Sequence, residues 1–154
     1  MEKRLIVTVG LPRSGKSTWA LEQDYPIVNP DAMRLAVYGE RFNASRENEV
    51  WSIVPIMINS LFLAGHDFVI FDATNVTKRR REAVRNDSLY TCYYVAFNTP
   101  PEECIKRAIA TGQEDLIPVI EKMYFSYEPI TPDEGEMLYK VLYGDQYTTK
   151  QLKE

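Results

Sequence analysis

Cysteine and histidine are nearly missing from this sequence of 154 residues, which holds only Cys92, Cys104 and His66 of those two kinds. Two cysteines cannot build a disulfide framework. Neither stands at a metal-ligand spacing with a partner, so the residues argue against zinc. An excess of positive charge is missing too: 18 Lys and Arg stand against 22 Asp and Glu, a formal net charge of −4. A protein that grips long nucleic acid with its whole surface is basic, so any such role here must rest on a local patch. No apolar run approaches the ~18 residues of a membrane span. The apolar run near the N-terminus breaks at Gly10, too short for a secretory leader. With 45% hydrophobic and 26% charged residues the composition is that of an ordinary globular chain, long enough for one domain with a sizeable core. The expectation is a soluble cytoplasmic protein with no membrane partner, its domain spanning 1–144 and a polar, fraying tail spanning 145–154.

Glycine is sparse as well, and the placing of two of them is informative. Leu5-Ile6-Val7-Thr8-Val9 reads as a strand, and Trp19-Ala20-Leu21-Glu22 has helix-forming character. Between them lies Gly10-Leu11-Pro12-Arg13-Ser14-Gly15-Lys16-Ser17-Thr18. Strand, glycine-rich turn and helix form the context in which Gly-x-x-x-x-Gly-Lys-Ser identifies a phosphate loop. The glycines let backbone N–H groups point inward around a phosphate at a helix N-terminus. Lys16 brings a point charge to the outer phosphates, and Ser17 offers a hydroxyl to Mg²⁺, a cation that prefers oxygen ligands. The alternative, a glycine turn that merely starts a helix, leaves Lys16 and Ser17 unexplained.

Further along, Tyr25 to Asn29 predicts a second strand, and Asp31 precedes a helix from Ala32 to Tyr38 that Gly39 stops. Asp31 is either the N-cap of that helix or a carboxylate beyond the end of a strand, where α/β sheets gather ligands. Arg34, three residues on, shares its face. Ser45 is the expected N-cap of the longest helix, with Val50, Trp51, Val54, Met57, Ile58, Leu61 and Phe62 as its apolar stripe, a kink at Pro55 and an end at Gly65. Asp67 to Phe71 is an apolar strand running into Asp72, the expected source of a carboxylate aimed at the metal shell. Asp72-Ala73-Thr74-Asn75 leads to a helix start carrying Lys78, Arg79, Arg80 and Arg81. Positive charge in a first turn opposes the helix dipole, so an anionic ligand or a solvated face relieved by Glu82 is required. A fourth strand, Tyr90 to Phe97, follows the Asn86-Asp87-Ser88 turn and makes Cys92 core. Two helices come next, Glu102 to Ala110 with Lys106 and Arg107, and Pro118 to Tyr127. The polar segment Thr111 to Asp115 joins them, and together they read as a lid that closes over a nucleotide. Glu136 to Leu142 predicts the last strand.

These blocks carry a resemblance. GLPRSGKSTWA, NPDAMR, FDATNVTKRRR, CIKRA and IPVIEKMYFSYEP, in this order and spacing, resemble the 5′-hydroxyl polynucleotide kinase domain of the bacteriophage type, within the wider phosphate-loop kinases. The resemblance covers nearly the whole chain. It implies an α/β fold, a parallel five-stranded sheet of order 2-3-1-4-5 flanked by helices with a helical lid, and ATP and Mg²⁺ as cofactors. It further implies that Asp31 is the general base and that Arg34 orients the acceptor. Asp72 then helps hold Arg34 and the metal region together with Ser17, and Arg107 faces the ATP phosphates alongside Lys16. Asn75, Lys78, Arg79 and Arg80 are the implied acceptor contacts. One departure is Thr111, where viral members carry a lid arginine before the glycine that is Gly112 here; Arg13 is the candidate substitute. DATN followed by basic residues is also similar to sugar-phosphate kinases and to kinases of aminoacylated tRNA.

The leading reading is transfer of the ATP γ-phosphate to a nucleic-acid 5′-hydroxyl. A second keeps the kinase and makes the acceptor a small phosphorylated metabolite or nucleoside, which the acidic charge and short chain favour. A third, a nucleotide-binding switch read by a partner protein, leaves Asp31 as a cap only.

Overall fold

The computed structural model describes residues 2–85 and 88–141. The polar tail 145–154, residue Leu142 of the expected last strand, and Asn86 and Asp87 of the expected turn lie outside the described residues. Five strands form one sheet: β1 (Arg4–Val9), β2 (Ile27–Val28), β3 (Phe68–Phe71), β4 (Thr91–Phe97) and β5 (Glu136–Val141). Their spatial order is β2-β3-β1-β4-β5. All four pairings are parallel, with Val7 opposite Phe71 on one side and Tyr94 on the other. The fold class expected from the sequence is therefore the observed one.

Helices α1 (Lys16–Leu21), α2 (Pro30–Tyr38), α3 (Glu47–Leu63), α4 (Lys78–Arg85), α5 (Pro101–Ala110) and α6 (Ile117–Ser126) fill the connections. The alternation of β1 decides how they layer, because successive side chains of a strand point to opposite faces. Leu5, Val7 and Val9 join Val50, Val54, Ile58 and Phe62 of α3 in one core cluster. Ile6 joins Trp19 and Ala20 of α1 in another. The buried residues of α3 recur every four positions, so its apolar stripe is narrower than expected, and Met57 is 45% exposed. Each of the fully buried α3 side chains contributes up to about 1.5–3 kcal/mol of hydrophobic stabilisation. The helix runs unbroken through Pro55.

Two caps differ from expectation. Ser45 does not start α3; Asn43 caps a short 3₁₀ turn, Ala44–Arg46, that feeds into Glu47, and its Oδ1 accepts from both the Ser45 N–H and the Ser45 hydroxyl. At α2 the cap is Asn29, with Pro30 in the first helical position, the pairing that a helix start favours. A third, small cluster joins Leu11 of the phosphate loop to Cys104, Ala108 and Ile120 of α5 and α6. The two lid helices thus pack on the loop they were expected to cover.

Candidate active site

At the carboxyl end of β1 the backbone turns through the glycine loop, and each glycine has its own reason. Gly10 is held by crowding: a Cβ there would lie 2.8 Å from Ser14 Oγ and 3.0 Å from Phe97 Cβ. Gly15 has φ of 105°, a left-handed value that side chains disfavour, and it starts α1. Arg13 adopts φ of 66° between them, the kind of local strain that collects at ligand loops. The Lys16 amine donates to Leu11 O at 2.5 Å and to Ser14 Oγ at 3.2 Å. It is only 7% exposed. Burial pushes its pKa down to about 8, against the opposing pull of the charges on Asp72, Cys104 and Asp31. A cation desolvated this far is a ready partner for phosphate oxygens. The loop is fixed from the lid side as well: Thr99 Oγ1 donates to Ser14 O at 2.9 Å, and Arg107 Nη1 donates to Arg13 O at 3.1 Å. Arg107 also reaches Glu103 one turn back, at 3.2 Å.

Asp72 directly follows β3 beside this loop, and it is a hub. Its Oδ2 accepts from Ser17 Oγ at 2.7 Å and from Asn29 Nδ2 at 2.9 Å. A hydroxyl and a carboxylate so placed are hard oxygen donors that fit Mg²⁺, which takes a few protein oxygens and completes its shell with water and substrate phosphate. Among the described residues no cluster of three or more His, Cys, Asp or Glu could hold a metal unaided. The expectation that Asp72 holds Arg34 is corrected: the Asn29 amide occupies Asp72, and Arg34 turns the other way.

On that other side, Asp31 and Arg34 are joined, Arg34 Nη1 donating to Asp31 Oδ1 at 2.7 Å. Asn29 Oδ1 accepts from the Asp31 and Ala32 amides, so the cap role considered for Asp31 belongs to Asn29. The Asp31 carboxylate is left 84% exposed. Arg34 is fixed from behind by Glu47, with Nε to Oε2 at 2.9 Å and Nη2 to Oε1 at 2.7 Å, and the Tyr38 hydroxyl donates to the same carboxylate at 2.7 Å. Burial alone would raise the Glu47 carboxyl; the bonds from Arg34 and Tyr38 outweigh it and hold the group below the ordinary range. The charge of Asp31 adds a small opposing pull on the lowered Lys16 pKa.

The four cations of the α4 start do not act alike. Arg79 and Arg80 are exposed, and the Arg80 guanidinium sits 4.0 Å above the Trp51 ring centroid, where partial burial lowers its pKa within the field of Glu47, Arg79 and Arg34. Lys78 is half-buried, and its backbone N–H donates to Glu128 Oε1 at 3.3 Å. Arg81 is fully buried and bonded to Glu134 at 2.7 Å. The anion expected to relieve this run is, for Arg81, a residue of the chain itself. Asn75 is also corrected. It is 2% exposed, and its amide donates to Thr8 O at 2.9 Å, so its side chain secures the turn instead of reaching for an acceptor.

Residues 5–122, most of the chain, match the AAA domain family. The chain belongs to that family. Its fold is that of the phosphate-loop kinases, and solved structures agree. A chain of the Pnkp1/Rnl/Hen1 complex is 29% identical, with a TM-score of 0.60 over 69% of this chain. This AAA domain spans only 39% of the length of that chain. A second chain, of the Pnkp1/Rnl/Hen1 RNA repair complex, is 19% identical with a TM-score of 0.61, covering 82% of this chain and 47% of that one. The Mycobacterium tuberculosis APS kinase CysC, in complex with AMPPNP and APS, is 18% identical with a TM-score of 0.64, covering 94% of this AAA domain and 91% of its own length. No helix among the described residues is long and apolar enough to cross a membrane.

Sequence reasoning missed Asn29, Glu47 and Trp51 in this site. Asn29 carries a readable signal, since Asn followed by Pro before a helix is a cap with a first-position proline. Glu47 carries none, because its partner Arg34 lies 13 residues away on another helix. Trp51 sits in an apolar stripe and reads as core.

Proposed function

We propose that this AAA domain is an ATP-dependent kinase that transfers the γ-phosphate to a 5′-hydroxyl of a polynucleotide. The observation that carries this is the Asp31 carboxylate, exposed and yet fixed by Arg34, which Glu47 holds in turn. A carboxylate so held can accept the proton of an incoming hydroxyl, the role a positioned base plays in phosphoryl transfer. Gly10 to Thr18 cradle the triphosphate, Lys16 and Arg107 meet its charge, and Arg13 stands in for the missing lid arginine. Ser17, with Asp72 beside it, would hold Mg²⁺, which would supply further neutralisation of the phosphates. Lys78, Arg79 and Arg80 take the acceptor's phosphates, and the Arg80 guanidinium stacked on Trp51 gives that edge a planar cation. The similarity to chains of the Pnkp1/Rnl/Hen1 complex, an RNA repair complex, supports a polynucleotide acceptor.

The test is incubation with γ-labelled ATP, Mg²⁺ and a mixture of 5′-hydroxyl oligonucleotides, nucleosides and small phosphorylated alcohols. Label on the oligonucleotide is the expected result. A salt titration of acceptor binding then reads the contacts: two or three phosphates give a slope of log affinity on log salt near −1.5 to −2, at about −0.7 per contact. Replacing both Arg79 and Arg80 by Ala flattens it by more than ~1 unit while leaving the KM for ATP unchanged. Label on a small alcohol alone, or a flat salt response with every oligonucleotide, makes the domain a metabolite kinase instead.

A further inference from the structure

The turn from Asp72 to Asn75 carries the carboxylate beside Ser17, and it is held from two sides. On the β1 side, Gly10 N–H donates to Thr74 O at 2.9 Å, Thr8 Oγ1 donates to Ala73 O at 2.8 Å, and Asn75 Nδ2 donates to Thr8 O at 2.9 Å. Asn75 itself has φ of 46°, a left-handed conformation that must be fixed by its surroundings. On the side of the second lid helix it is held by Arg81. Arg81 Nη1 donates to Asn75 O at 2.9 Å, its Nη2 to Glu128 O at 2.9 Å and Pro129 O at 3.3 Å, and its Nε to Glu134 Oε1 at 2.7 Å. Glu134 is fixed in turn by the Thr131 amide at 2.8 Å. One buried guanidinium therefore ties the Asp72–Asn75 turn to the segment that leaves the second lid helix, and the Glu128 N–H to Val76 O bond at 2.8 Å reinforces the joint.

We infer that Arg81 is a positioning residue for phosphate transfer: it sets the Asp72–Asn75 turn, and with it the carboxylate at Ser17, against the exit of the lid. This rests on the kinase reading but on no particular acceptor. A planar fork is needed because the bonds leave in three directions; a lysine carries the charge without the geometry. The neighbouring Arg79 and Arg80 serve the acceptor, so adjacent residues of one basic run have separate tasks.

The experiment compares Arg81→Lys with the double variant Arg81→Met with Glu134→Gln, which leaves no buried charge without its partner and so keeps the fold even where the single change does not. Two readouts are taken well below each melting temperature. Amide hydrogen exchange is expected to speed up ~10-fold or more at Gly10 and Glu128, whose acceptors lie in and just after the turn, with Ile6 and Tyr94 in the core unchanged. With whichever acceptor the unaltered protein labels, kcat is expected to fall ~10-fold or more while the KM for ATP stays within about 2-fold. Exchange that rises equally everywhere, or kcat that stays normal in a folded variant, overturns the inference. If the unaltered protein labels no acceptor at all, the kinase reading fails, and the catalytic half of this inference fails with it. The exchange readout still decides whether Arg81 holds the turn.

Discussion

The two ends of this site are built by different means. The phosphate end is a backbone shape: a contiguous stretch of nine residues, Gly10 to Thr18, fixed by close approach at Gly10, by φ at Gly15, and by carbonyls that Thr99 and Arg107 pin in place. The end proposed to take the acceptor is a relay of side chains, Asp31 to Arg34 to Glu47 along one line and Arg80 over Trp51 along another, drawn from α2, α3 and α4. Asp72 joins the ends through Ser17 on one side and Asn29 on the other. A backbone shape tolerates few residue types and is legible from a short motif. A side-chain relay can be re-aimed by single substitutions, which is where phosphate-loop kinases are free to differ in what they phosphorylate.

The sharpest way to test that division is at Asp31, where the largest effect is expected. Asp31→Asn keeps the helix start intact, because Asn29 provides the cap, and removes the proton acceptor together with the exposed ion pair to Arg34, which Glu47 still holds. Turnover should fall ~10²- to 10⁴-fold with the melting temperature unchanged. ATP affinity, a property of the other end, should stay within about 3-fold. A variant that loses stability yet keeps turnover would return Asp31 to a structural role and break the proposed relay.

A smaller effect is expected one step behind. Glu47→Gln keeps the size of the side chain and can still accept from Tyr38, but it no longer offers Arg34 a charged fork. Breaking a nearly buried, doubly bonded pair leaves Arg34 held by Asp31 alone and free to swing toward solvent, so the KM for the acceptor should rise about 5- to 20-fold with a modest loss of kcat. Because Arg34 and Glu47 then act as a unit, pairing this change with Arg34→Gln should cost little more than the larger single change, whereas Asp72→Asn with Arg34→Gln should be close to additive. Additivity for Arg34 and Glu47 would show that Glu47 merely packs.

The sequence made the phosphate end legible because its requirements are local. The order of strands and the helices that follow β4 agree with what the sequence implied, and the loop stands where its motif puts it, with Arg107 on the Arg13 carbonyl and Ser17 on Asp72. The acceptor end was legible only in part. Arg34 lies beside Asp31 as a three-residue spacing on a helix requires. Its second partner depends on how α2 crosses α3, which no short pattern encodes. The basic run at the start of α4 misleads for a related reason: charge counts are blind to rotation about a helix, so a buried Arg81 and an exposed Arg79 look alike in sequence. Tertiary partners, Glu134 for Arg81 and Trp51 for Arg80, decide between them.

The subtlest signal, the movement of a single proton, tests the phosphate end itself, through Lys16. In the unliganded domain burial lowers this amine to about 8 from the ordinary 10.5. The unfolded chain therefore holds this proton more tightly than the folded one, and between those values the amine's contribution makes the empty domain more stable as pH rises; below pH 8 the cost of a buried charge is present in full. Bound triphosphate reverses the sign, because phosphate oxygens favour the ammonium form and raise its pKa again. Nucleotide binding should then take up about half a proton at pH 8 and close to one near pH 9, and affinity should weaken ~10-fold per pH step above that point. Calorimetry of ATP binding in two buffers of different ionisation heat measures the uptake directly, since the phosphates themselves no longer titrate there. Lys16→Met should abolish the uptake along with most of the affinity, while the empty variant melts no lower than the parent. Equal heats in both buffers would mean that the lysine stays charged in the empty loop, and the view of a desolvated amine waiting for phosphate would have to be abandoned.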